Sequence, residues 1–279
     1  MSLKNMRWEE IPRHHGQWPQ ERWGHTMTTL DSHRILLFGG ECESQCSDVY
    51  TLHCDTWEWT KEICSGIPPE MRFGHTCIHS DGQAIIFGGS RGAGYFNDLH
   101  CLDVNSWSWW QPRTSGTPPS PRSSHSATRV KHKIFIFGGI GSTSAGPNEC
   151  LQDLVVLDTQ NWAWSAPVVS GPKPAPRFVH RMVALAGQLL LFGGRTSGTD
   201  KFNDVHWLNP DTMTWSRPVV SGQLPSSRGG CSLVPVGDKA LVFCGRAEGD
   251  VCLADGVHVL SGRGASMSWR CWNPRDAGG

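Results

Sequence analysis

The chain lacks the sequence features of membrane-spanning and secreted proteins. No apolar run approaches the roughly 20 residues that a transmembrane helix requires, and residues 1–20 carry no apolar core of a signal peptide. The eleven cysteines are an odd number at irregular spacing, which is not typical of a secreted disulfide framework. These absences predict a protein of the cytosol or nucleus with free, mostly buried thiols and no membrane insertion.

An excess of either charge is also missing. The 279 residues include 25 basic and 25 acidic side chains, so no net field attracts nucleic acid or an anionic membrane. Tyrosine is scarce, with two copies against fourteen tryptophans. Most of the tryptophans are explained by an internal repeat.

Three signals recur five times in the same order. The first is an Arg-x-x-His box, the second an apolar run that ends in Phe-Gly-Gly, and the third a tryptophan segment. The boxes begin at Arg22, Arg72, Arg122, Arg177 and Arg228, the last with Cys231 in place of histidine; the runs end at Gly40, Gly89, Gly139, Gly194 and Gly245; the tryptophans are Trp59, Trp109, Trp164, Trp215 and Trp269. Successive boxes start 50, 50, 55 and 51 residues apart. A period near fifty indicates a repeat array.

Each repeat unit predicts four strands, which we call a to d. Strand a follows the box, and strand b is the apolar run, whose continuous hydrophobicity is typical of a strand covered on both faces. Strand c follows an aspartate, such as Asp98 or Asp204, and strand d carries the tryptophan. Turn-forming residues separate c from d, and proline-rich connections lead to the next box.

This repeat resembles the kelch repeat of β-propellers over residues 8–272. The resemblance implies an all-β propeller of four-stranded antiparallel blades in a single domain, residues 1–279. The five complete repeats cover about residues 22–60, 72–110, 122–165, 177–216 and 228–272. An extra d-type strand around Trp8, at residues 6–11, precedes them.

This extra strand leaves three arrangements of the ring open. The ring has five blades and a redundant strand, or it is an incomplete six-bladed ring in which the chain is cut inside a sixth blade. In the third arrangement the strand around Trp8 closes the fifth blade in place of the Trp269 segment. We expect the compact five-bladed ring, with the degraded fifth repeat as a terminal cap.

Equivalent residues of a repeat usually have equivalent structural roles. We therefore expect the box arginines and histidines to tie blade to blade through hydrogen bonds to carbonyl groups. The strand-d tryptophans should pack between blades, because a nucleobase-stacking surface would need a basic groove that the sequence does not show.

The b–c and d–a connections should emerge on one face of the propeller. The b–c connections vary in length, and residues 140–152 of the third repeat form the longest; insertions on one face of a repeat array commonly mark the binding face. The candidate partner-binding residues are Arg91, Tyr95, Asn148, Glu149, Arg195, Lys201, Arg246 and Asp250. Their mixed charge favours a protein or peptide partner over a uniform polyanion.

Two enzyme classes with the kelch fold provide alternatives. Copper oxidases of this fold use two tyrosines and two histidines, whereas Tyr50 and Tyr95 are not in a comparable arrangement here. Plant specifier proteins use an iron site of the form Glu-x3-Asp-x3-His; Glu149 and Asp153 match it, but the third position is Leu157. Losing one of three ligands argues against that site.

A zinc site is also weakly indicated. Cys42 and Cys46 lie in one short loop, with His53 and Cys54 further along, and the paired CxxC spacing of structural zinc sites is missing. We interpret these cysteines as unrelated to metal binding. The sequence therefore predicts no catalytic site, no metal and no cofactor.

The predicted function is non-catalytic: a protein-interaction module that binds a partner protein or peptide on the b–c/d–a face. Its relatives imply roles as a scaffold or as a substrate-recognition component of a ubiquitin ligase. The sequence shows no BTB or F-box region, so a ligase role is expected to need another chain. The alternative is an iron-dependent small-molecule enzyme of the plant specifier type, with its site at the propeller mouth.

Overall fold

The computed structural model describes residues 16–43, 46–143, 146–263 and 265–272. Five sheets follow one another along the chain as the blades of a β-propeller, each with antiparallel strands in the order a-b-c-d, and in two of them a short additional strand pairs parallel to strand d. The predicted all-β kelch-like fold with five complete repeats is confirmed. The d-type strand predicted at residues 6–11 lies outside the described residues. Among the described residues, no helix has the length and apolarity to cross a membrane.

The strands of the five blades coincide with the predicted repeat units. Blade 1 contains β1 (Thr26–Thr29), β2 (Arg34–Phe38), β3 (Val49–His53) and β4 (Glu58–Glu62). Blade 2 contains β5 (Ser65–Gly66), β6 (Thr76–Ser80), β7 (Gln83–Phe87), β10 (Leu99–Asp103) and β11 (Ser108–Trp110), with a small hairpin of β8 (Ser90–Arg91) and β9 (Gly94–Tyr95) between b and c.

The remaining blades follow the same order. Blade 3 contains β12 (Arg122–Ser123), β13 (Ser126–Val130), β14 (Lys133–Thr143), β15 (Gly146–Asp158) and β16 (Ala163–Ser165). Blade 4 contains β17 (Arg181–Leu185), β18 (Gln188–Phe192), β19 (Val205–Asn209) and β20 (Thr214–Ser216). Blade 5 contains β21 (Val219–Gly222), β22 (Ser232–Val236), β23 (Lys239–Phe243), β24 (Val257–Arg263) and β25 (Ser266–Trp272).

The hydrophobic core lies between successive blades. Strand b is buried on both faces; in blade 4, Leu190, Leu191 and Phe192 are all 0% exposed. Its phenylalanine meets the strand-d tryptophan of the next blade, as Phe137 meets Trp215 with ring centroids 5.1 Å apart. The same pair forms at three other junctions, with centroid distances of 5.2–5.3 Å: Phe38 with Trp109, Phe87 with Trp164, and Phe192 with Trp269. Inter-blade packing of these tryptophans is confirmed.

The box arginines bind mainly within their own blade. Arg177 is completely buried, and its Nη1 and Nη2 atoms donate to the two carboxylate oxygens of Asp204 at 2.6 and 2.9 Å. Nη1 also donates to the carbonyl oxygen of Gly193 at 2.9 Å. Arg177 thereby connects the aspartate that precedes strand c with the glycine pair that follows strand b, within one blade. The prediction that arginine side chains join neighbouring blades is therefore wrong. Neighbouring blades are joined instead by the main-chain carbonyl oxygen of the box arginine, which accepts a hydrogen bond from the second glycine N–H of the preceding blade, as Arg177 accepts from Gly139.

The box histidines do link neighbouring blades. In three of the four box histidines, the Nε2 atom lies within hydrogen-bond distance of a hydroxyl oxygen on strand a of the preceding blade. The pairs are Thr26 with His75 at 2.9 Å, Thr76 with His125 at 2.9 Å, and Ser126 with His180 at 2.8 Å. The predicted inter-blade role of these histidines is confirmed, although the partners are hydroxyl groups rather than carbonyl groups.

Burial keeps these imidazoles neutral, which predicts a pH dependence of stability. Burial first, and then the neighbouring box arginine, lowers the pKa of His75 and of His180 to about 3. The unfolded chain takes up protons near pH 6.5, where the folded chain does not. The free energy of unfolding should therefore fall by about 1.4 kcal/mol per pH unit for each buried histidine as the pH drops below 6.5.

Urea unfolding between pH 7.5 and pH 5.0 measures this slope. His180→Gln should reduce the slope by one histidine's share. His33→Gln is the matched control, because the His33 side chain is 64% exposed. Equal slopes in the wild type and in His180→Gln would contradict the expectation.

The longest b–c connection is not a loop. Strand b continues past the glycine pair as far as Thr143, and strand c begins at Gly146, so that most of residues 140–152 belong to β14 and β15. Gly139 pairs with Leu151, Ile140 with Cys150, and Gly141 with Glu149, with bulges on either side. The backbone pairing of strands b and c thus extends outward beyond the glycine pair and carries Asn148 and Glu149 on an ordered arm.

Candidate binding face

The box and the b–c connection are joined on the same side of each blade. The residue after the box arginine forms an antiparallel bridge with the residue that follows the Gly-Gly pair. These bridges join Trp23 to Glu41, Phe73 to Ser90, Phe178 to Arg195 and Gly229 to Arg246. The b–c connections and the boxes therefore share one face, as predicted, and this face is called the mouth face below.

Three of the candidate residues meet between blades 4 and 5. Lys201 Nζ lies 2.9 Å from Asp250 Oδ1, and Arg195 Nη1 lies 3.7 Å from the same oxygen. Lys201 Nζ also donates to the carbonyl oxygen of Ala247. The Lys201 hydrogen bond is the main cause of the lowered pKa of Asp250. Since the Lys201 side chain is only 6% exposed, it holds this corner together more than it offers a contact to a partner.

Arginine side chains at this corner remain partly accessible. The Arg195 guanidinium stacks over the Phe178 ring at 5.2 Å from its centroid, and 31% of its side chain is exposed. Arg246 is exposed, and its charge contributes to the lowered pKa of Asp250. Together with Asp250, whose side chain is 57% exposed, these two cations are the surface-available groups of the predicted blade 4–5 set.

The other candidates lie on blades 2 and 3. The hydroxyl of Tyr95 donates to Asn148 Oδ1, which ties the β8–β9 hairpin to the β14–β15 hairpin. Arg91 Nη1 lies 3.2 Å from Glu70 Oε2, and both side chains are at least half exposed. Glu149 is exposed on the hairpin.

Cys150 connects the two groups of candidates. Its side chain hydrogen-bonds Ser197 on the b–c connection of blade 4 and lies close to Arg195 and Glu149. Burial is the main cause of the raised pKa of its thiol. The predicted residues thus form a band across blades 2 to 5, and Cys150 and Ser197 are members that the sequence interpretation did not single out.

The most exposed aromatic group of the mouth face was also missed. Trp23 is 58% exposed, and its ring lies 4.7 Å from the Phe73 ring of the next blade. Trp23 lines a surface depression together with Glu21, Glu41 and Glu43. The signal was present in the sequence, because an aromatic residue follows the box arginine in three of the five repeats. An exposed tryptophan beside a second ring and charged groups is the composition of a binding hot spot.

The iron-site alternative does not fit the side chains. Both carboxylate oxygens of Asp153 accept hydrogen bonds from Arg122, at 2.8 and 2.7 Å. Leu157, at the position of the third ligand, is 1% exposed within the core. Among the described residues, no group of three His, Cys, Asp or Glu side chains could hold a metal ion. Asp153 acts as the partner of a buried arginine, in the same way as Asp204.

Cys42 and Cys46 form a disulfide within the b–c connection of blade 1. The prediction of free thiols is wrong for this pair, and the other nine cysteines are outside any disulfide. The disulfide also removes the cysteines of the weak zinc motif. It closes a small loop next to Glu41 and Glu43 on the mouth face.

The fold and its repeated junctions define a kelch-type β-propeller. The family model of the KLHDC2/KLHL20/DRC7 Kelch-repeats domain matches residues 1–188 and 119–277, and the chain belongs to this family.

The chain is also similar to curated kelch proteins over part of their length. It is 35% identical to human Kelch domain-containing protein 1 over 124 residues, which are 43% of this chain and 29% of that protein. It is 38% identical to the bovine Rab9 effector protein with kelch motifs over 110 residues, 38% of this chain and 29% of that protein. Bovine Kelch domain-containing protein 2 is 36% identical over 90 residues, 32% of this chain and 22% of that protein. The matched segments span less than a third of the length of each of these relatives.

Proposed function

We propose that this chain is a non-catalytic, single-domain interaction module that binds a segment of a partner protein across the mouth face. The exposed Trp23–Phe73 pair is the observation that carries the proposal. Burying the exposed part of a tryptophan contributes a large share of binding energy at protein interfaces, where aromatic and arginine anchors dominate. The exposed Arg91, Arg195 and Arg246 provide further anchors of this kind along the band.

The charge of the mouth face favours a partner segment with both signs of charge. Glu41 and Glu43 lie beside Trp23 at one end, and Arg195 and Arg246 lie at the other. A segment with basic groups at one end and acidic groups at the other would complement this arrangement. Such binding would suit a scaffold, or a substrate-recognition component of a ubiquitin ligase, in the cytosol or nucleus.

Trp23→Ala should abolish partner capture without unfolding the protein. Truncating an aromatic hot spot typically costs about 2 kcal/mol or more of binding free energy, which corresponds to a thirtyfold loss of affinity. A quantitative pull-down from cell lysate, followed by a binding titration with the purified partner, measures the loss. Thermal unfolding of the variant should match the wild type, because the side chain is mostly in solvent.

Trp57→Ala is the matched control. Trp57 is 41% exposed but lies on the c–d turn of blade 1, on the opposite face of the propeller. A discrete partner retained by this control and lost by Trp23→Ala supports the mouth face. Equal capture by both variants would contradict it, as would stoichiometric iron on the same samples without any discrete partner.

A further inference from the structure

Blade 4 carries an arginine stacked on an aromatic ring at the mouth face. The Arg195 guanidinium lies over the Phe178 ring, 5.2 Å from its centroid. The two residues face each other across an antiparallel bridge, in which one follows the box arginine and the other follows the glycine pair. A guanidinium within about 6 Å of a ring centroid is attracted by the charge distribution of the ring. The bridge position of blade 4 thus holds a cation on a ring.

Blade 1 has the ring at this bridge position without the cation. The Trp23 N–H donates to the Glu41 carbonyl oxygen at 3.0 Å, and the Glu41 N–H donates to the Trp23 carbonyl oxygen at 2.8 Å. Residues opposite each other in an antiparallel pair carry their side chains on the same side, with Cβ atoms about 4.5–5.5 Å apart. Trp23 packs against Phe73 and is still 58% exposed. A carboxylate therefore stands beside an accessible indole ring, where blade 4 has a guanidinium.

Unpaired carboxylates line the same depression as this ring. Those that line it with Trp23 belong to Glu21, Glu41 and Glu43. In the part of the chain that the structure describes, none of these glutamates forms an ion pair with a basic side chain, whereas Asp250 on the same face is paired with Lys201 at 2.9 Å. The basic residue of the lining, Arg22, is committed to Asp48, and its side chain is only 2% exposed. The depression therefore offers negative charge that no described cation of this chain neutralises.

Arg22 also has a hydrogen-bond donor without a partner. Its Nη1 atom donates to Asp48 Oδ1 at 2.8 Å, while Lys61 Nζ lies 3.6 Å from the other oxygen of that carboxylate. In the other four boxes the arginine Nη2 atom donates to this second oxygen, as Arg177 does at Asp204. The Nη2 atom of Arg22 is buried and has no hydrogen-bond partner among the described residues. An occupant of the depression that brings a carbonyl oxygen would satisfy this donor.

We propose that this surface, here called the Trp23 depression, is the receptor for an arginine residue of the partner segment. The guanidinium stacks on the indole ring and donates to the glutamate carboxylates, and a main-chain carbonyl oxygen of the same segment accepts from Arg22 Nη2. Arginine fits better than lysine, because its planar group stacks with its face while it donates from its edge. The inference rests on the proposed function, since it names the partner's chemistry at the Trp23 end of the mouth face.

A blocked tripeptide, acetyl-Gly-Arg-Gly-amide, is the probe. Its binding to the 279-residue chain is followed through the indole N–H signals of nitrogen-15-labelled tryptophan, and Trp23→Phe identifies the Trp23 signal. We expect the arginine peptide to shift this signal in a saturable way. The same peptide with citrulline, which has nearly the same shape without the charge, should bind about tenfold more weakly. The lysine peptide should also bind more weakly than the arginine peptide.

Glu41→Gln with Glu43→Gln tests the location. Removing two carboxylates should lower the affinity for the arginine peptide about tenfold and leave the affinity for the citrulline peptide unchanged, a difference that general damage to the fold does not produce. Neither glutamate is buried, so the variant should stay folded. Glu58→Gln with Asp211→Asn is the matched control. It makes the same change in net charge at exposed residues near the c–d turns of blades 1 and 4, and it should bind the arginine peptide normally.

Three results would overturn the arginine site. They are an unshifted Trp23 signal up to about 10 mM arginine peptide, equal binding of the arginine peptide and either matched peptide, and normal arginine binding by the Glu41→Gln/Glu43→Gln variant.

The pull-down separates this inference from the proposed function. A partner that is captured through Trp23 and bound equally well by the Glu41→Gln/Glu43→Gln variant would leave the interaction module standing and remove the arginine site. Charge-dependent binding of the arginine peptide without any discrete partner from lysate would support the site and contradict the module.

Discussion

Replacing Gly88-Gly89 by Val-Val should leave no cooperatively folded protein. The two glycines have φ angles of +65° and +99°, in the left-handed region where a β-branched residue is strained by about 1–3 kcal/mol. Space is a second obstacle. A Cβ atom on Gly88 would lie 2.8 Å from the Arg122 carbonyl oxygen, and one on Gly89 would lie 2.9 Å from the His75 Cβ. The first contact is with the box of the next blade and the second is with the box of the same blade. Neither box can move away, because both are packed between blades.

The expected loss exceeds what a domain of this size can tolerate, because folded domains are stable by only about 5–15 kcal/mol. Circular dichroism with urea titration measures the effect, which should appear as the loss of the cooperative transition. Gly198→Val is the matched control: Gly198 has no positive φ, and its nearest contact is a side-chain oxygen at 3.5 Å. A normal transition in the Val-Val variant would show that the strand exit does not need glycine.

Asp204→Ala should destabilise the protein by about 3–5 kcal/mol, because it leaves the Arg177 guanidinium buried without its counter-charge. Arg177 is 0% exposed, and its carboxylate partner lies 2.6 and 2.9 Å away. Although burial raises the pKa of Asp204, the hydrogen bonds from Arg177 lower it well below its usual range. The stabilisation is therefore present at neutral pH and is lost as the pH falls through the low folded-state value.

Asp31→Ala provides the contrast on the surface. Asp31 and Arg34 form an ion pair at 2.9 Å, but their side chains are 40% and 33% exposed. Such pairs contribute about 0–1 kcal/mol, so the midpoint of urea unfolding should barely change. A similar decrease in the free energy of unfolding for the two variants would show that the buried ion pair stabilises the blade no more than the exposed one. The difference between the two decreases in unfolding free energy measures the cost of leaving a buried charge without its partner.

The blades were predictable from the sequence because strand b and strand d must bury their side chains between neighbours. A continuous apolar run ending in Gly-Gly, and a tryptophan at a fixed later position, each have one favourable place in such an array. The histidine bridges follow from the same repetition. Each of these features recurs because every blade must pack against its neighbours in the same way, and the recurrence is visible in the sequence as a period.

Other features depend on contacts that periodicity does not report. The pairing of Arg177 with Asp204 lies within a blade, and spacing alone did not distinguish it from a link between blades. The hairpin at residues 140–152 is built from bulged pairs across glycines, which carry no strand pattern. The exposure of Trp23 depends on what lies next to it in space. A tryptophan in a sequence does not indicate whether its ring is covered.

Among the residues that the structure describes, the hydrogen bonds between blades run from each blade to the next, and this has a consequence for recognition. Stability in such an array is shared between nearest neighbours, so blade 3 is held from both sides while the end blades are each held from one. The Trp23 contact lies on the first blade, and the Arg195–Asp250 corner joins the fourth and fifth. Under the proposed function, a partner that spans this distance would contact both end blades, and its binding energy would add to the stability of the folded state.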